Sequence, residues 1–459
     1  MPIKIGRFYD AIVDAKGGGD LTSIADAFAD GNTSVFVKNG TYVETSDLVI
    51  PTGGVLYGES PGGVVIVLAA GNSIKVDGSG GTKESAGTVE VVHDDATVTG
   101  TGTTFTNLVA DDWIKIDDVW MHIASITDDT HLELKAAYQG VASSGLTYEA
   151  QSMVAGFLIQ NVLAYASSGV GVYLRAANHG VIRDCLISNC GSYGVYILDS
   201  TETFLISSVV QRGATHGVMI ENSSIIIMNV VAPKGNNGDG VHLLDSKNVI
   251  MDACDIVVNS GHGVRLNGTT TIVNVTDGVI HRNSGCGVNT GPATGTAIID
   301  SCTIGHNGGC GCDFDGAENV VSNNLIEGNA EHGVSAGDDG LVSGNHISNN
   351  GGDGINLASD SNCSVTGNVI QDSAVGINVP TASTKHAISG NQVKGNSGDG
   401  ITVSGAYNSL QGNVVVDNGG DGIDLSGDNN VAVANVCNGN TGTQLSNTGT
   451  GNIVDHNQT

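Results

Sequence analysis

Ionisable residues recur at regular intervals in the middle of the sequence. His216, Asp239 and His262 each stand directly before a glycine and are 23 residues apart, and His242 and Arg265 follow the last two by three residues. If residues 23 positions apart lie in adjacent layers, His and Asp can share a proton, and Arg can bind a uronate carboxylate. These residue types suit β-elimination or C5 epimerisation of a polysaccharide. We therefore predict the following catalytic residues: His216, Asp239, His242, His262 and Arg265.

A hydrolytic alternative rests on two carboxylates. Asp313 and Asp315 are two residues apart, so on one strand face they would be separated by about 6.8 Å. That separation is near the lower limit for an inverting glycosidase. The competing interpretation of both groups is structural, because the surface of any repeat protein must be polar.

Aromatic residues that could stack on sugar rings are scarce in this chain, at 4 % of residues. The clustered ones are Tyr173, Tyr193 and Tyr196, and charged residues stand near them at the same repeat positions. We predict the following substrate-binding residues: Tyr173, Arg175, Tyr193, Tyr196, Glu221, Asp313 and Asp315.

A repeat must position these side chains. A glycine followed by an apolar residue recurs twelve times at spacings of 21 to 24 residues, at Gly171, Gly194, Gly217, Gly240, Gly263, Gly287, Gly311, Gly333, Gly354, Gly376, Gly400 and Gly422. Periods of this size indicate a solenoid. The alternation in "GVYLR" predicts that Val172 and Leu174 face the core and that Tyr173 and Arg175 face outward.

Asparagine forms two further columns in register with the glycines. Four residues before the glycine stand Asn236, Asn259, Asn283, Asn307, Asn329, Asn350, Asp372, Asn396 and Asn418. A second column contains Asn324, Asn345, Asn368, Asn391, Asn413 and Asn435. Asn tolerates the left-handed backbone of a turn, and stacked amides can form hydrogen-bonded ladders. We therefore predict polar corners between short strands, with coils about 4.8 Å apart.

The predicted fold is all-β: a right-handed, single-stranded parallel β-helix of about 22–24 residues per coil, with a short N-terminal capping helix and a small inserted β-module. The segment "GGGDLTSIADAFADG" predicts the helix, with Asp20 or Thr22 as its cap and Ile24, Ala27 and Phe28 as its apolar stripe. We predict three divisions: residues 1–84 as cap and first coils, 85–150 as the inserted module and 151–459 as the main β-helix.

Three resemblances to known families extend this interpretation. "VFVKNGTYVE" resembles the first coil of pectate-lyase-like β-helix proteins. "TVTGTGTTFT", "DWIKID" and "IASITDDTHLEL" resemble modules of bacteriophage virion proteins over about 60 residues. The coil phrase resembles alginate C5-epimerases, whose Tyr-Gly-Phe-Asp-Pro-His-Glu motif aligns with "YGVYILDS". Tyr193 and Gly194 match that motif, whereas Tyr196, Leu198 and Asp199 depart from it, so the epimerase activity does not transfer.

Charge and cysteine content restrict the partners. The net charge of −30 argues against nucleic acid and anionic membranes. The sequence shows no apolar signal core and no stretch of membrane-span length. Nine cysteines without a zinc-type spacing indicate free thiols made in a reducing cytosol. A disulfide between Cys286 and Cys310 stays open, because residues one coil apart lie within disulfide range.

We expect no metal site and no cofactor, with incidental Ca²⁺ on the acidic surface left open; "GGDGIDLSG" does not match the calcium-binding nonapeptide, because the period is about 22. The predicted function is a phage virion-associated, tailspike- or fibre-like β-helix that binds, and in one version depolymerises, a cell-surface polysaccharide. We expect a homo-oligomer, a trimer by that resemblance, located in the virion and made in the host cytoplasm.

Two alternative functions remain. The first is a free polysaccharide lyase or C5-epimerase-like enzyme, which would be secreted by a non-classical route. The second is a structural virion rod without a sugar site.

Overall fold

A computed structural model of the protein describes residues 8–69, 71–78, 82–292, 294–357 and 361–459. The fold is the predicted all-β right-handed parallel β-helix with very little helix. The chain forms two compact units. The first unit comprises residues 1–214, 218–228 and 245–249, and the second comprises residues 215–217, 229–244 and 250–459.

One short α-helix lies among the first strands. The elements are β1 (Ala11–Val13), α1 (Ile24–Ala29), β2 (Ser34–Val37), β3 (Gly40–Glu44), β4 (Leu48–Val49), β5 (Val55–Gly58), β6 (Val64–Leu68) and β7 (Ile74–Asp77). Helix α1 buries Ile24, Ala27 and Phe28, as predicted. The predicted caps Asp20 and Thr22 are wrong, because Ser23 is the N-cap and its Oγ accepts the Asp26 N–H at 3.1 Å.

The later strands of the β-helix are short and regularly spaced. In chain order they are β15 (Val154–Ala155), β16 (Leu158–Gln160), β17 (Val162–Ala166), β18 (Val172–Arg175), β19 (Ala177–Asn178), β20 (Gly180–Arg183), β21 (Leu186–Ser188), β22 (Val195–Leu198), β23 (Thr201–Ile206), β24 (Val209–Gln211), β25 (Val218–Glu221), β26 (Ser224–Asn229), β27 (Ala232–Lys234), β28 (Val241–Leu244), β29 (Lys247–Asp252), β30 (Asp255–Val257), β31 (Val264–Asn267), β32 (Thr271–Thr276), β33 (Val279–His281), β34 (Val288–Thr290), β35 (Ala297–Asp300), β36 (Thr303–Gly305), β37 (Cys312–Phe314), β38 (Val320–Ser322), β39 (Leu325–Glu327), β40 (Val334–Ser335), β41 (Leu341–Ser343), β42 (His346–Ser348), β43 (Ile355–Asn356), β44 (Ser364–Thr366), β45 (Val369–Gln371), β46 (Ile377–Val379), β47 (Ala387–Ser389), β48 (Gln392–Lys394), β49 (Ile401–Val403), β50 (Ser409–Gln411), β51 (Val414–Val416), β52 (Ile423–Leu425), β53 (Val431–Val433), β54 (Val436–Asn438), β55 (Leu445–Asn447) and β56 (Ile453–Asp455).

From β20 onward the strands follow in sets of three. Within each unit, the first strands of successive sets pair in parallel with one another, and so do the second strands and the third strands. Strand β18, which pairs with the third strand β22, alternates as predicted: Val172 and Leu174 are fully buried, whereas Tyr173 and Arg175 are half-buried on the outside. Burying each aliphatic side chain stabilises the fold by about 1.5–3 kcal/mol.

A seven-stranded antiparallel sheet interrupts the coils of the first unit. Its strands are β8 (Thr88–Val91), β9 (Thr97–Thr101), β10 (Trp113–Ile116), β11 (Val119–Asp128), β12 (His131–Leu134), β13 (Ser143–Leu146) and β14 (Tyr148–Gln151), with a 3-10 helix at Phe105–Asn107. Strands β5, β6 and β7 pair directly with β16, β17 and β18, so the sheet is inserted between two adjacent coils. The division boundaries given above stay predictions.

Within the first unit, the inserted sheet packs against the coils through β10, β11 and the turn between them. Trp120 Nε1 donates to the main-chain oxygen of Asn222 at 3.3 Å, and Lys115 Nζ contacts Asn222 Oδ1. Lys247 Nζ also donates to the main-chain oxygen of Asp117 at 3.2 Å. These contacts hold the sheet against the outer surface of the coils.

Asparagine ladders stabilise the corners of the second unit. In each ladder, the amide oxygen of one Asn accepts the main-chain N–H and the side-chain N–H of the Asn one coil earlier, as between Asn236 and Asn259 at 3.1 and 2.9 Å. The first ladder is Asn236, Asn259, Asn283, Asn307, Asn329 and Asn350, resuming at Asn396, Asn418 and Asn440. The second runs through Asn324, Asn345, Asn368, Asn391, Asn413, Asn435 and Asn457.

Two details of the predicted ladders are wrong. Asp372 does not stand in the first ladder: Ser373 takes that position, and its N–H donates to Asn396 Oδ1 at 3.0 Å. The left-handed backbone also belongs to the residue before each ladder position, such as Val258 or Asp372, with φ of 58° and 53°. A third ladder, through Asn408, Asn430 and Asn452, was not predicted.

The cysteines are free thiols, as predicted. All nine are buried, including Cys254, Cys302 and Cys363 in the core and the neighbouring pair Cys286 and Cys310. Among the described residues, no helix has the length and apolarity needed to cross a membrane.

Candidate functional sites

The third strands of the second unit place polar side chains in a single column. Their central outward residues pair in sequence: His242, Arg265, Asn289, Asp313, Ser335, Asn356, Asn378, Thr402 and Asp424. This register is the predicted one. The residues directly before each glycine form an adjacent column in the turn that precedes the strand.

Three predicted residues, His216, Asp239 and His242, form what we term the His–Asp cluster. Asp239 Oδ2 lies 2.9 Å from His242 Nδ1 and 3.3 Å from His216 Nδ1. The imidazole rings of the two histidines are 4.5 Å apart. The carboxylate is almost completely buried, with 4 % of its side chain exposed, whereas 23 % of His216 and 12 % of His242 are exposed.

The hydrogen bonds define the proton positions in the His–Asp cluster. His216 Nδ1 accepts the main-chain N–H of Asp239 at 2.9 Å, so a neutral His216 carries its proton on Nε2. A neutral His242 that donates from Nδ1 to Asp239 Oδ2 has Nε2 as an acceptor, 3.3 Å from Asn267 Nδ2. This arrangement, a carboxylate orienting an imidazole, suits either a general base or a metal ligand set.

Burial and hydrogen bonding oppose each other at these groups. Burial alone would raise the pKa of Asp239, but hydrogen bonds from His242 and from the His262 N–H, together with the charges of His216 and His242, lower it overall. The pKa of His216 is lowered, mainly by burial, with the charges of His242 and Arg265 acting in the same direction and Asp239 acting against them.

His262, the fourth residue of the predicted catalytic set, lies outside the His–Asp cluster. The main-chain N–H of His262 donates to Asp239 Oδ1 at 2.7 Å, and the ring Nδ1 of His262 accepts the main-chain N–H of Cys286 at 3.0 Å. Side chains at this position accept the same bond in other coils, as His332 does from Asp353 and Asp399 does from Asp421. The position before the glycine therefore has a structural role, and a catalytic role for His262 stays a prediction, as it does for Arg265.

The carboxylates Asp313 and Asp315 differ in environment. Asp313 is half-buried on the outer face, and its Oδ2 accepts from Asn289 Nδ2 at 3.1 Å. Its pKa is raised, first by burial and then by the charge of Asp315. Asp315 is exposed beyond the end of β37. Their assignment to substrate binding or hydrolysis stays a prediction.

The first unit contains a separate aromatic group, which we term the tyrosine cluster: Tyr173 on β18, Tyr196 on β22 and Tyr193 in the turn before β22. The ring centroids of Tyr173 and Tyr196 are 5.4 Å apart, and those of Tyr193 and Tyr196 are 4.9 Å apart. Lys75 Nζ lies 5.9 Å from the Tyr173 ring, and Tyr196 Oη donates to Glu221 Oε2 at 2.5 Å. The sequence prediction placed these tyrosines together correctly.

Charged groups surround the tyrosine cluster. Lys75 Nζ is 3.2 Å from Asp77 Oδ2, and Arg175 Nε is 3.9 Å from Asp199 Oδ2. The pKa of Tyr196 is raised by burial and then by the hydrogen bond to Glu221, so the phenol remains a donor at neutral pH. The group combines aromatic faces, hydrogen-bond donors and carboxylate acceptors.

A second aromatic group was missed by the sequence analysis, which regarded the tyrosine cluster as the sole aromatic group. Tyr9, Phe36 and Tyr57 stack on the first unit, with centroids 5.2 to 6.0 Å apart. Phe36 and Tyr57 are paired neighbours in β2 and β5. The first coils lack the glycine marker, so their register was not available from the repeat.

Comparison with known proteins agrees with the fold. The coils and their register define a right-handed parallel β-helix protein. The sequence matches the family described as right handed beta helix region over residues 138–277, 234–338 and 314–459. This match extends over well more than half of the chain, which therefore belongs to that family. No curated protein matches the chain in sequence.

Solved structures with a similar architecture include enzymes and virion proteins. The A-module of the mannuronan C-5 epimerase AlgE4 from Azotobacter vinelandii is 14 % identical, over 89 % of this chain and 93 % of that one, with a TM-score of 0.47. The Gp54 tailspike of Acinetobacter baumannii bacteriophage AP22, solved with a capsular saccharide, is 13 % identical over 88 % and 74 %, with a TM-score of 0.45. The tailspike gp49 of Pseudomonas phage LKA1 is 13 % identical over 92 % and 73 %, also at 0.45. These values describe architecture and carry no functional assignment.

Proposed function

We propose that this protein is a polysaccharide-binding β-helix and that the tyrosine cluster is its principal sugar contact. The observation that carries the proposal is the side-by-side packing of three half-buried tyrosine rings on one outer face, at 4.9 and 5.4 Å. The C–H faces of a pyranose pack against aromatic rings, and the phenol hydroxyls supply the polar contacts that fix orientation.

The charged neighbours of the tyrosine cluster support a hydroxyl-rich ligand. Glu221 accepts a hydrogen bond from Tyr196, Lys75 Nζ lies 3.2 Å from Asp77, and Arg175 Nε lies 3.9 Å from Asp199, so acceptors and cationic donor groups alternate around the cluster. Sugar hydroxyls both donate and accept, so alternating donors and acceptors on one face match them. Side chains recur about every 4.8 Å between strands, a spacing that suits an extended polymer.

The biological setting belongs to the same proposal. We propose a tailspike- or fibre-like protein of a phage virion, made in the host cytoplasm and assembled as a trimer. Its support is the resemblance of "TVTGTGTTFT" and "DWIKID" in the inserted sheet to virion modules. In one version of the proposal the predicted catalytic residues also cleave the bound polysaccharide. A structural rod without a sugar site is the competing outcome.

Calorimetric titration of the purified protein with alginate, pectate and capsular polysaccharides tests the proposal. We expect one polymer to bind and Tyr196→Ala to weaken its affinity at least tenfold, which is about 1.4 kcal/mol. Tyr407→Ala is the matched control, because Tyr407 is 62 % exposed on the second unit and outside the tyrosine cluster. The proposal fails if no polysaccharide binds or if both variants bind as well as the natural protein.

A further inference from the structure

The His–Asp cluster has the geometry of a coordination site. Asp239 Oδ2 lies 2.9 and 3.3 Å from two imidazole nitrogens, and one donor atom from each of the three residues lies within 4.8 Å of the other two. Zinc binds imidazole nitrogen at about 2.0–2.1 Å and carboxylate oxygen at about 2.0–2.2 Å. Two donors at those distances are about 2.9 Å apart at a right angle and about 3.3–3.4 Å apart at a tetrahedral angle. An ion can therefore enter with small side-chain movements.

We propose that His216, Asp239 and His242 bind a divalent transition-metal ion of the zinc type. The sequence predicted no metal site and assigned these three residues to catalysis. His216 and Asp239 belong to the column before the glycine, and His242 belongs to the strand column. The chain passes from the turn column to the strand column within three residues, so His242 lies beside Asp239.

The donor types select the ion. Two imidazoles and one carboxylate favour Zn²⁺, Co²⁺ or Ni²⁺, whereas Ca²⁺ and Mg²⁺ prefer sites built from oxygen. The three protein donors leave at least one coordination position for water, and both histidines are partly exposed to supply it. Metal binding here is independent of the proposed sugar contact, which is made by the tyrosine cluster.

Neighbouring groups hold the donors in place. The main-chain N–H of His262 donates to Asp239 Oδ1 at 2.7 Å, so the other carboxylate oxygen, Oδ2, faces His216 and His242. When His242 Nδ1 binds the ion, its proton moves to Nε2, and the Asn267 amide 3.3 Å away can turn to accept it. At His216, the bond from the Asp239 N–H to Nδ1 is exchanged for the bond to the ion.

A second coil provides an internal comparison. His332, Asp353 and Asn356 occupy the same three coil positions as the His–Asp cluster, and the Asp353 N–H donates to His332 Nδ1 at 2.9 Å. His332 Nδ1 lies 3.6 Å from Asp353 Oδ2. Asn356 stands where the second imidazole, that of His242, would be. Among the described residues, the His–Asp cluster is the one group in which donor atoms of three His, Cys, Asp or Glu side chains lie within 4.8 Å of one another.

Titration of chelator-treated protein with ZnCl₂, followed by calorimetry and thermal unfolding, tests the metal site. We expect one Zn²⁺ per chain, a higher Tm with the ion, and no comparable response to CaCl₂. His242→Asn should weaken binding more than tenfold while circular dichroism stays unchanged, because Asn is the natural residue at position 356. His332→Asn should bind as the natural protein does. The proposal is overturned if Zn²⁺ does not saturate one site or if His242→Asn binds it unchanged.

Two further variants locate the ion. Adding Asn356→His to His242→Asn should restore one Zn²⁺, because it rebuilds the same three donors in the other coil; no restoration would contradict the proposed geometry. His281 and His306 form an exposed pair, with Nε2 and Nδ1 2.9 Å apart. His306→Asn should leave the stoichiometry unchanged, and loss of Zn²⁺ in that variant would assign the ion to the exposed pair and refute the proposal.

Discussion

Asn283 Oδ1 accepts two hydrogen bonds from Asn259, one from its main-chain N–H at 3.0 Å and one from its side-chain Nδ2 at 2.9 Å. Asn283 in turn donates from Nδ2 to Asn307 Oδ1 at 3.1 Å and to the main-chain oxygen of Ile256 at 3.0 Å. The residue is 1 % exposed. One side chain therefore satisfies buried polar groups in both neighbouring coils.

Asn283→Ala should destabilise the second unit by about 2–4 kcal/mol, because it leaves buried donors and acceptors without partners. Asn289→Ala, a variant in the same coil, should cost about 1 kcal/mol or less, because Asn289 is half-buried and makes one side-chain bond, to Asp313. Urea unfolding followed by circular dichroism measures both. Equal losses in the two variants would show that a buried ladder residue contributes no more to stability than the single hydrogen bond of half-buried Asn289.

The partly buried carboxylate Asp313 should make stability depend on pH. Because its pKa in the folded protein is raised above the unfolded value, the folded state binds the proton more tightly than the unfolded state. The free energy of unfolding is therefore reduced at high pH. The reduction is absent below the pKa of Asp313 in the unfolded chain, grows as pH rises toward its pKa in the folded protein, and is complete above that value.

Asp313→Asn should therefore stabilise the protein modestly at pH 7 and leave its stability at pH 3 nearly unchanged. Thermal unfolding at the two pH values measures the difference. Asp315→Asn is the comparison variant: it removes only the neighbouring charge that also raises the pKa of Asp313, so it should stabilise the protein at pH 7 by less than Asp313→Asn does. An Asp313→Asn variant with a lower Tm at pH 7 would contradict the sign of the shift.

The stacked thiols Cys286 and Cys310 should differ in reactivity from the other cysteines. Hydrogen bonding to Cys310 lowers the pKa of Cys286 and raises that of Cys310. Burial raises the pKa of Cys185 to about 12 and those of Cys254 and Cys302 to about 11. Because the thiolate is the reactive species, iodoacetamide at pH 7 should modify Cys286 first.

Mass spectrometry of proteolytic peptides after timed alkylation identifies the modified residue. Cys310→Ala should slow the modification of Cys286, because the stabilising donor is removed. Cys437→Ala, at a buried thiol elsewhere in the second unit, should leave the rate unchanged. Uniform alkylation of all nine thiols would indicate global unfolding and contradict the prediction.

The repeat alone was sufficient to predict the register of the third strands. Because Gly240 and Gly263 are one period apart, His242 and Arg265 had to be neighbours, and they are paired. Alternation then determined which side chains face outward. Both signals are local and periodic, so one sequence contains enough copies of each to define the average coil.

Features that depart from the average coil were not predictable in the same way. Ser373 and not Asp372 occupies the ladder position, because that corner has one residue fewer before the glycine. Ser373 stands three residues before Gly376, whereas Asn396 stands four residues before Gly400. The cap at Ser23 depends on Glu44, whose carboxylate binds the Ser23 hydroxyl and the Ile24 N–H at 3.0 and 2.7 Å. That contact spans about 20 residues of sequence without a repeat to indicate it.

The proposed trimer predicts a molecular mass about three times that of the 46.4 kDa chain. Native mass spectrometry and light scattering at micromolar concentration measure it. A monomer at that concentration would contradict the virion assignment and leave polysaccharide binding by the tyrosine cluster as a separate question.

The catalytic hypothesis predicts a difference between two arginines. If Arg265 binds a uronate carboxylate during β-elimination, Arg265→Ala should lower kcat/KM on alginate or pectate at least 100-fold, within the range of general acid–base and charge effects. Arg183→Ala is the control, because Arg183 lies on a first strand of the other unit and binds Gln160 at 2.7 Å. The assay follows the ultraviolet absorbance of unsaturated products.

His262 separates the structural and catalytic interpretations of the same surface. Its Nδ1 accepts the Cys286 N–H, so His262→Ala should lower stability whether or not the protein is an enzyme, whereas His262→Asn can retain an acceptor. Suppose that His262→Asn has the same unfolding transition as the natural protein and remains fully active, while Arg265→Ala loses activity. His262 then has a structural role only, and the predicted catalytic set is reduced to His216, Asp239, His242 and Arg265. Full activity in Arg265→Ala would remove the proposed uronate contact and, with it, the reason for assigning β-elimination to this face.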